Sequence, residues 1–399
     1  MTQLVVLQVG QRVNQIGCCF LDLALREHAA VNQKGIYYEA ISTVLIDVEE
    51  GLVNEILQGP LRDVFDIKQL ITDISGSGSN WAVGHKCFFI IHSMGGGTGS
   101  GLGTFLFFLI FHCVLEDEFP EVYRFMTSIY PSSEKDIITL PHNGILAMKK
   151  LNEHADCVKI DLIVNSGKLD TTVEWHKSPF VSMNNIAADL LNLTSSARFE
   201  GSLNMDLNEI NINLVPFLQL NYLVSSLTPL YTLVDVNIPT KRLDQMFSDV
   251  FSKGHQLLQA DPKDSLYLTR ELMVRGNVQI LDVRRNTERL NKTLSTVCLL
   301  ESRRLKTSLC SVPPVGHFYS LALANNTCVK PTFMELKERF MRFYKKKAHL
   351  HHCLQVEGIE ESCFTEVVLS LSALIQEYNQ LDATKNITVQ DLPNLSISV

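Results

Sequence analysis

The stretch His92–Gly103, HSMGGGTGSGLG, places glycine at positions 95, 96, 97, 99, 101 and 103 between two apolar runs, CFFII before it and FLFFLIF after it. A buried strand, a glycine turn and a helix in that order form a known anion cradle. Main-chain N–H groups close around the anion, and the helix N-terminus adds a favourable dipole. Side chains would block the approach, which is why glycine is used. The alternative is a plain tight turn with no ligand, and the stretch by itself leaves both readings open. It carries no lysine in the G-x-x-x-x-G-K-[ST] pattern and no G-x-G-x-x-G spacing, which weakens a dinucleotide oxidoreductase. Ser93, Thr98 and Ser100 supply hydroxyls instead.

Outward from this stretch, short apolar runs alternate with helical patterns through the first 160 residues. LVVLQV (4–9), STVLIDV (42–48), CFFIIH (87–92), RFMTSIY (124–130) and ADCVKI (155–160) read as strands. They lack polar alternation, as parallel strands covered on both faces do. NQIGCCFLDLALREHAAV and HNGILAMKKLNEHA read as helices between them. The alternation predicts a doubly wound α/β domain over 1–160. Residues 161–329 read as an α+β intermediate domain with a central helix near 182–198, and SLNMDLNEININ reads as helical. Residues 330–399 hold two amphipathic helices. The first opens with a capping box, Thr332 and Glu335, and aligns Phe333, Leu336, Phe340 and Phe343. The second aligns Phe364, Val367, Leu371, Leu374, Tyr378 and Leu381.

Composition narrows the function classes. The 399 residues are 46% hydrophobic and 20% charged, with a net charge of −8. That acidity argues against nucleic acid as the main partner. The apolar block at Phe105–Phe111 falls short of the roughly 20 residues a membrane span needs. MTQLVVLQVGQ has no basic residue before its apolar run, unlike a signal peptide. Ten cysteines without C-x-x-C read as free thiols in a reducing compartment. The expectation is a cytoplasmic protein with no membrane contact.

Neighbouring loops repeat the chemistry of the glycine stretch. GQRVNQIG follows the first strand, DVEEG the second and PSSEKD the fourth, while SGSGSNW precedes the third. Ligands in open α/β sheets bind outside the carboxyl ends of the strands. Asp47 and Glu49, two apart at a strand end, suit a hard cation such as Mg²⁺ that neutralises phosphate oxygens; a solvated helix start is the other reading.

These segments, with SARFEGSLNMDL, LVPF, LTPLY, LANNT and KKKAHLHHCLQVEGIEE, resemble the tubulin family in order and spacing nearly end to end. LREHAAVNQKGIY and DISGSG.NWAVGHK look like its epsilon branch, the centriole-associated kind. The resemblance implies a GTP/GDP-binding domain, an intermediate domain and a C-terminal helix pair facing microtubule partners. It implies other tubulin subunits or centriolar proteins as partners, and a cytoskeletal, centrosomal place in the cytoplasm. Carried over, Gln11, Asp47 and Glu49 stand near Mg²⁺ and the terminal phosphate. Gly76, Gly78, Asn80, Ser93, Gly95, Gly96, Gly97, Thr98 and Gly99 line the phosphates. Asp136 sits on the ribose side, and Asn184 reads guanine, with Asn185 as the alternative register. Glu209 matches the acid presented to the next subunit's nucleotide, so GTP hydrolysis is completed only by polymer contact.

The sequence also departs from the family. Arg12-Val13 stands where the family has Cys-Gly, so strain is expected at Val13 if that backbone has positive φ. Ser79 replaces an asparagine. The crossover before CFFII is shortened, EAISTVLID omits a loop and strand, and an asparagine-bearing loop after ADCVKI is missing. The chain ends DLPNLSISV, without a glutamate-rich tail. A degenerate interaction protein that neither binds nor hydrolyses GTP is therefore the second reading. HLHHC brings His349, His352 and Cys353 to a spacing zinc can use, although helix packing explains a similar run in the family. YKKKAH with Arg339 and Arg342 makes a local basic patch, a solvated face or a contact for an acidic partner.

Overall fold

The computed structural model describes residues 4–31, 41–46, 56, 58–59, 61, 64–65, 69–71, 87–95, 98–104, 123–130, 139–155, 157–161, 179–194, 203, 205, 207–217, 219–228, 242–258, 260–262, 265–294, 305–310, 319–350, 354 and 360–384. Among these, ten strands form one sheet: β1 (Leu4–Val9), β2 (Ile41–Ile46), β3 (Leu70–Ile71), β4 (Cys87–Ser93), β5 (Tyr123–Ile129), β6 (Cys157–Asp161), β7 (Tyr222–Thr228), β8 (Tyr267–Arg275), β9 (Lys306–Cys310) and β10 (Tyr319–Asn326). Their spatial order is β3-β2-β1-β4-β5-β6-β7-β10-β8-β9. The six N-terminal strands run parallel. Strand β7 joins them, pairing parallel with β6 from Val158↔Tyr222 to Ile160↔Val224. Strand β10 lies antiparallel to both β7 and β8. The sheet thus continues without a break past residue 160.

Neighbouring residues of one strand face opposite layers. Ile91 and Phe125 join a core with helices α1 (Gln11–Val31), α3 (Pro179–Thr194) and α4 (Leu207–Leu214). Ile90 and Met126 join another with α2 (Leu140–His154), α7 (Lys330–Tyr344) and α8 (Glu361–Thr384). Because both faces are covered, both parities are apolar, and this explains the missing alternation. A third core under β8 and β9 is closed by α5 (Leu243–Asp249) and α6 (Ile280–Leu294), through Phe247, Val250, Val283 and Leu290. The fold is the expected α/β doubly wound sheet, continued by an α+β part and closed by a C-terminal helix pair.

Details differ from the sequence reading. The central helix is α3, Pro179–Thr194, and α4 begins only at Leu207. Helix α7 does not open at the Thr332–Glu335 box. It starts at Lys330 with Pro331 in its first turn and no side-chain cap. Asn326 initiates the chain reversal instead, accepting 2.8 Å from the Cys328 N–H in the 3₁₀ turn Thr327–Val329. That turn leads straight into α7, so its groups are already satisfied and a cap at Thr332 has no free amide to serve. The carbonyl of Thr332 accepts from Tyr130 Oη at 3.0 Å, tying α7 to the end of β5. Both predicted apolar faces hold except at one residue each: Phe333, Leu336, Phe340, Phe364, Val367, Leu371, Leu374 and Tyr378 are buried, whereas Phe343 and Leu381, at the C-terminal ends of the two stripes, are only half-buried. Among the described residues, no helix is long and apolar enough to cross a membrane.

Candidate nucleotide site

Strand order reverses between β1 and β4, because β2 lies on one side of β1 and the chain later returns to its other side. A reversal of this kind leaves a crevice at the carboxyl ends of the two strands. The turns following β1 and β4 meet there, beside the last residue of β2. Gly10 ends β1 at φ +95°, a region that favours glycine. Its N–H donates to the Ile46 carbonyl at the end of β2 (3.0 Å), and its carbonyl accepts from the Asn14 N–H (3.0 Å) as α1 begins. Asn14 Nδ2 also donates to the Ile46 carbonyl, at 3.3 Å. A Cβ on Gly10 would lie 3.3 Å from Gly99 N, so the turn after β1 stacks on the turn after β4.

Three glycines of the stretch can be read one by one. A Cβ on Gly99 would come within 2.6 Å of the Ser93 carbonyl oxygen, and one on Gly103 within 3.3 Å of His92 Cβ. Gly101 is exposed and would meet nothing. Close packing therefore demands glycine at Gly99 and leaves a Cβ at Gly103 only a tight fit, while Gly101 is free of that constraint. Residues Thr98–Leu102 form a single wide helical turn. Ser93 Oγ makes a long contact with the Gly95 N–H, at 3.5 Å.

Two side chains outside the expected site touch this turn. His92 is fully buried; its Nδ1 lies 3.2 Å from the Gly99 carbonyl and its Nε2 lies 2.6 Å from Ser128 Oγ. A carbonyl only accepts, so Nδ1 carries the proton and Nε2 accepts from Ser128. Burial pushes the ring's pKa down to about 4, with the Gly99 contact opposing; the ring is neutral at neutral pH. Asn143, in the first turn of α2, donates from Nδ2 to the Gly95 carbonyl at 3.3 Å. The sequence signal for His92 is one polar residue in the apolar run CFFIIH. Asn143 has no such signal, since only the fold brings α2 to this loop.

The expected site residues divide clearly. Ser93, Gly95, Thr98 and Gly99 lie together on the β4 turn, and Gln11 opens α1 next to Gly10. Asp47, Glu49, Gly76, Gly78, Asn80, Gly96, Gly97 and Asp136 lie outside the described residues, as do Ser79, His352 and Cys353. So do the shortened crossover before β4, the loop after β6 and the C-terminal DLPNLSISV. Asn184 is buried in α3, which packs on α1, and its Oδ1 has no hydrogen-bond partner; Asn185 is only half-buried. Glu209 is exposed in the first turn of α4, with Ile212 exposed beside it. No cluster of three or more metal-ligating side chains occurs among the described residues.

The condition for strain at Val13 is not met. This residue lies inside α1, fully buried, and is not among the described residues with positive φ. A β-branched residue fits there without the strain foreseen. The next glycine of GQRVNQIG has a packing reason: a Cβ on Gly17 would fall 1.9 Å from Gln8 Cδ, where β1 meets α1.

Comparison with known proteins agrees with this geometry. A family model described as "Tubulin/FtsZ family, GTPase domain" matches residues 85–161, and "Tubulin C-terminal domain" matches 219–338. The "Tubulin epsilon chain" of Homo sapiens is 67% identical over 481 positions, covering 100% of both chains, and that of Mus musculus is 63% identical with the same coverage. The "Tubulin beta-2 chain" of Suillus bovinus is 30% identical across 95% of this chain and 96% of its own. Alignments of 481 positions against 399 residues place gaps in this chain, in keeping with the shortened segments. A sheet that reverses at β1/β4, glycine turns stacked at the reversal and full-length identity lead to one conclusion: the chain belongs to the tubulin family.

Proposed function

We propose that this protein is a guanine-nucleotide-binding cytoskeletal subunit. In this reading it works by assembling with tubulin-type or centriolar partners in microtubule and centriole organisation, at the centrosome and in the cytoplasm. The observation that carries the proposal is the backbone stack of Gly10 on Gly99 at the strand-order reversal. It supports a ligand-facing main chain there, bare of side chains. The GTPase-domain match gives guanine nucleotide as the ligand class.

Ser93 and Gly95–Gly99 would cradle the phosphates, with Gly76, Gly78 and Asn80 completing that side. Gln11, Asp47 and Glu49 would hold Mg²⁺, whose charge would neutralise phosphate oxygens. Asp136 would approach the ribose. The orphaned Oδ1 of Asn184 is an acceptor suited to the N–H edge of guanine, which favours Asn184 over Asn185. Glu209, exposed on α4, would act on the nucleotide of a neighbouring subunit by orienting water. Hydrolysis would then need assembly. Residues 1–160, 161–329 and 330–399 would serve as nucleotide-binding, intermediate and partner-facing regions.

One observation favours a second reading, an interaction protein without nucleotide. The GTPase-domain match begins only at residue 85, leaving the β1 and β2 turns outside it. A single experiment separates the two. Purified protein is washed, its bound nucleotide is quantified, and its melting midpoint is measured with and without Mg-GTP. Stoichiometric guanine nucleotide and a raised midpoint are expected, because a ligand selective for the native state stabilises it. Neither effect at millimolar ligand overturns the proposal.

A further inference from the structure

Both ends of the β4 turn are tied by their carbonyls. Asn143 Nδ2 holds the Gly95 carbonyl from α2, and His92 Nδ1 holds the Gly99 carbonyl from inside the sheet. In a trans peptide the C=O and the N–H point in opposite directions. Tying a carbonyl toward the protein therefore turns the amide of the same peptide away from it. At Gly99, that amide belongs to Ser100; at Gly95, the tie fixes the carbonyl where the turn leaves β4. Neither donor is free to drift. Asn143 sits in the first turn of α2, and His92 is fixed at its other nitrogen by Ser128 Oγ.

We infer that His92 and Asn143 are positioning residues for phosphate binding, orienting the main-chain amides of the β4 turn by holding the carbonyls of Gly99 and Gly95. The inference rests on the proposed nucleotide-binding function and names two residues outside the site expected from sequence. Neither side chain is assigned a contact with the ligand. Each acts through a peptide plane, so its loss is felt in proportion to the phosphates the turn must hold. Ser128 joins as the outer support, keeping the His92 ring in the tautomer that donates to Gly99. Burial of the ring favours the same neutral form.

The test uses the full chain and compares binding of Mg-GTP with binding of GMP, which has one phosphate. Asn143→Ala should weaken Mg-GTP by about tenfold, the effect of losing one hydrogen bond's worth of orientation, and GMP by less than about twofold. Its melting midpoint without nucleotide should stay near that of the wild type. His92→Asn, which can keep a donor toward Gly99, should bind Mg-GTP much as the wild type does, whereas His92→Leu should show the same phosphate-dependent loss. Should His92→Leu fail to fold, Asn143→Ala decides alone. Equal losses for Mg-GTP and GMP, or no loss in Asn143→Ala, overturn the inference while leaving the proposed function standing. A wild-type chain that binds neither nucleotide overturns both.

Discussion

Glu27 and Arg275 meet as an ion pair, Oε2 to Nη2 at 2.7 Å, with both side chains shut off from solvent. Glu27 belongs to α1 and Arg275 ends β8, so this contact joins the parallel half of the sheet to its mixed half. A buried pair of this kind contributes modest net stability, yet breaking it is costly because the survivor's charge stays buried. Arg275→Met should therefore destabilise the fold by about 3–5 kcal/mol, and Glu27→Leu combined with Arg275→Met should recover most of the loss. Urea unfolding of both variants checks this. An Arg275→Met chain as stable as the wild type would show that the pair does not hold the two halves.

Asp189, on α3, faces the same region. Burial first, and the charge of Glu27 second, push its pKa up from 3.8 to about 7. Between those values the native state holds a proton that the unfolded chain has released, so stability falls as pH rises from about 4 to about 7. Asp189→Asn removes this loss. Its melting midpoint should gain on the wild type as pH rises through that window and hold a constant lead above it. Parallel curves for the two proteins would remove Asp189 from the account.

Gln8 is fully buried on β1, and neither amide atom has a hydrogen-bond partner. Its side chain fills the space a Cβ on Gly17 would need. Gly17→Ala should cost about 1–3 kcal/mol by overpacking, and adding Gln8→Ala should relieve it. Gln8→Leu alone should stabilise the chain, since leaving buried polar atoms unmet costs about 1–3 kcal/mol. A double-mutant cycle by thermal unfolding measures the coupling; additive effects would contradict the contact.

His142, in the first turn of α2, packs edge-on against Phe340 of α7 at 5.3 Å and against Phe364 of α8 at 6.4 Å. Neither ring nitrogen has a hydrogen-bond partner, and burial, then the charge of His349, lowers its pKa below 6.5. The native state binds fewer protons than the unfolded chain here, so stability drops as pH falls through the ordinary histidine range. His142→Phe should be at least as stable as the wild type at neutral pH, with a lead that widens in acid. Midpoints measured across mildly acidic pH decide it, and a lead that shrinks in acid would refute it.

Much of this architecture was legible along the chain because it follows from local periodicity. Apolar runs without alternation announced strands covered on both faces, and the 3.6-residue stripes of α7 and α8 announced which residues they bury. The glycine turn was legible for the same reason: strand, turn and helix are contiguous. Helix starts were less legible. The Thr332–Glu335 pattern is a genuine capping signal, yet Asn326 and Pro331 act earlier in the chain and leave it no amide to cap. Whether Val13 meets the condition for strain, a positive φ, is not written in a glycine-to-valine change, because backbone φ is set by the helix that encloses the residue and not by its one-letter context.

Sequence by itself determined the strand-turn-helix units, the amphipathic helix pair and the family to which the chain belongs, since each is written in short-range spacing or in matched motifs. Only the tertiary structure decided that Gly10 abuts Gly99, that Gln8 requires Gly17, and that His92 and Asn143 hold the turn's carbonyls. Those relations join residues from separate elements through the order in which strands lie side by side. Packing in three dimensions, where one Cβ or one carbonyl direction matters, leaves no periodic trace in the chain that produces it.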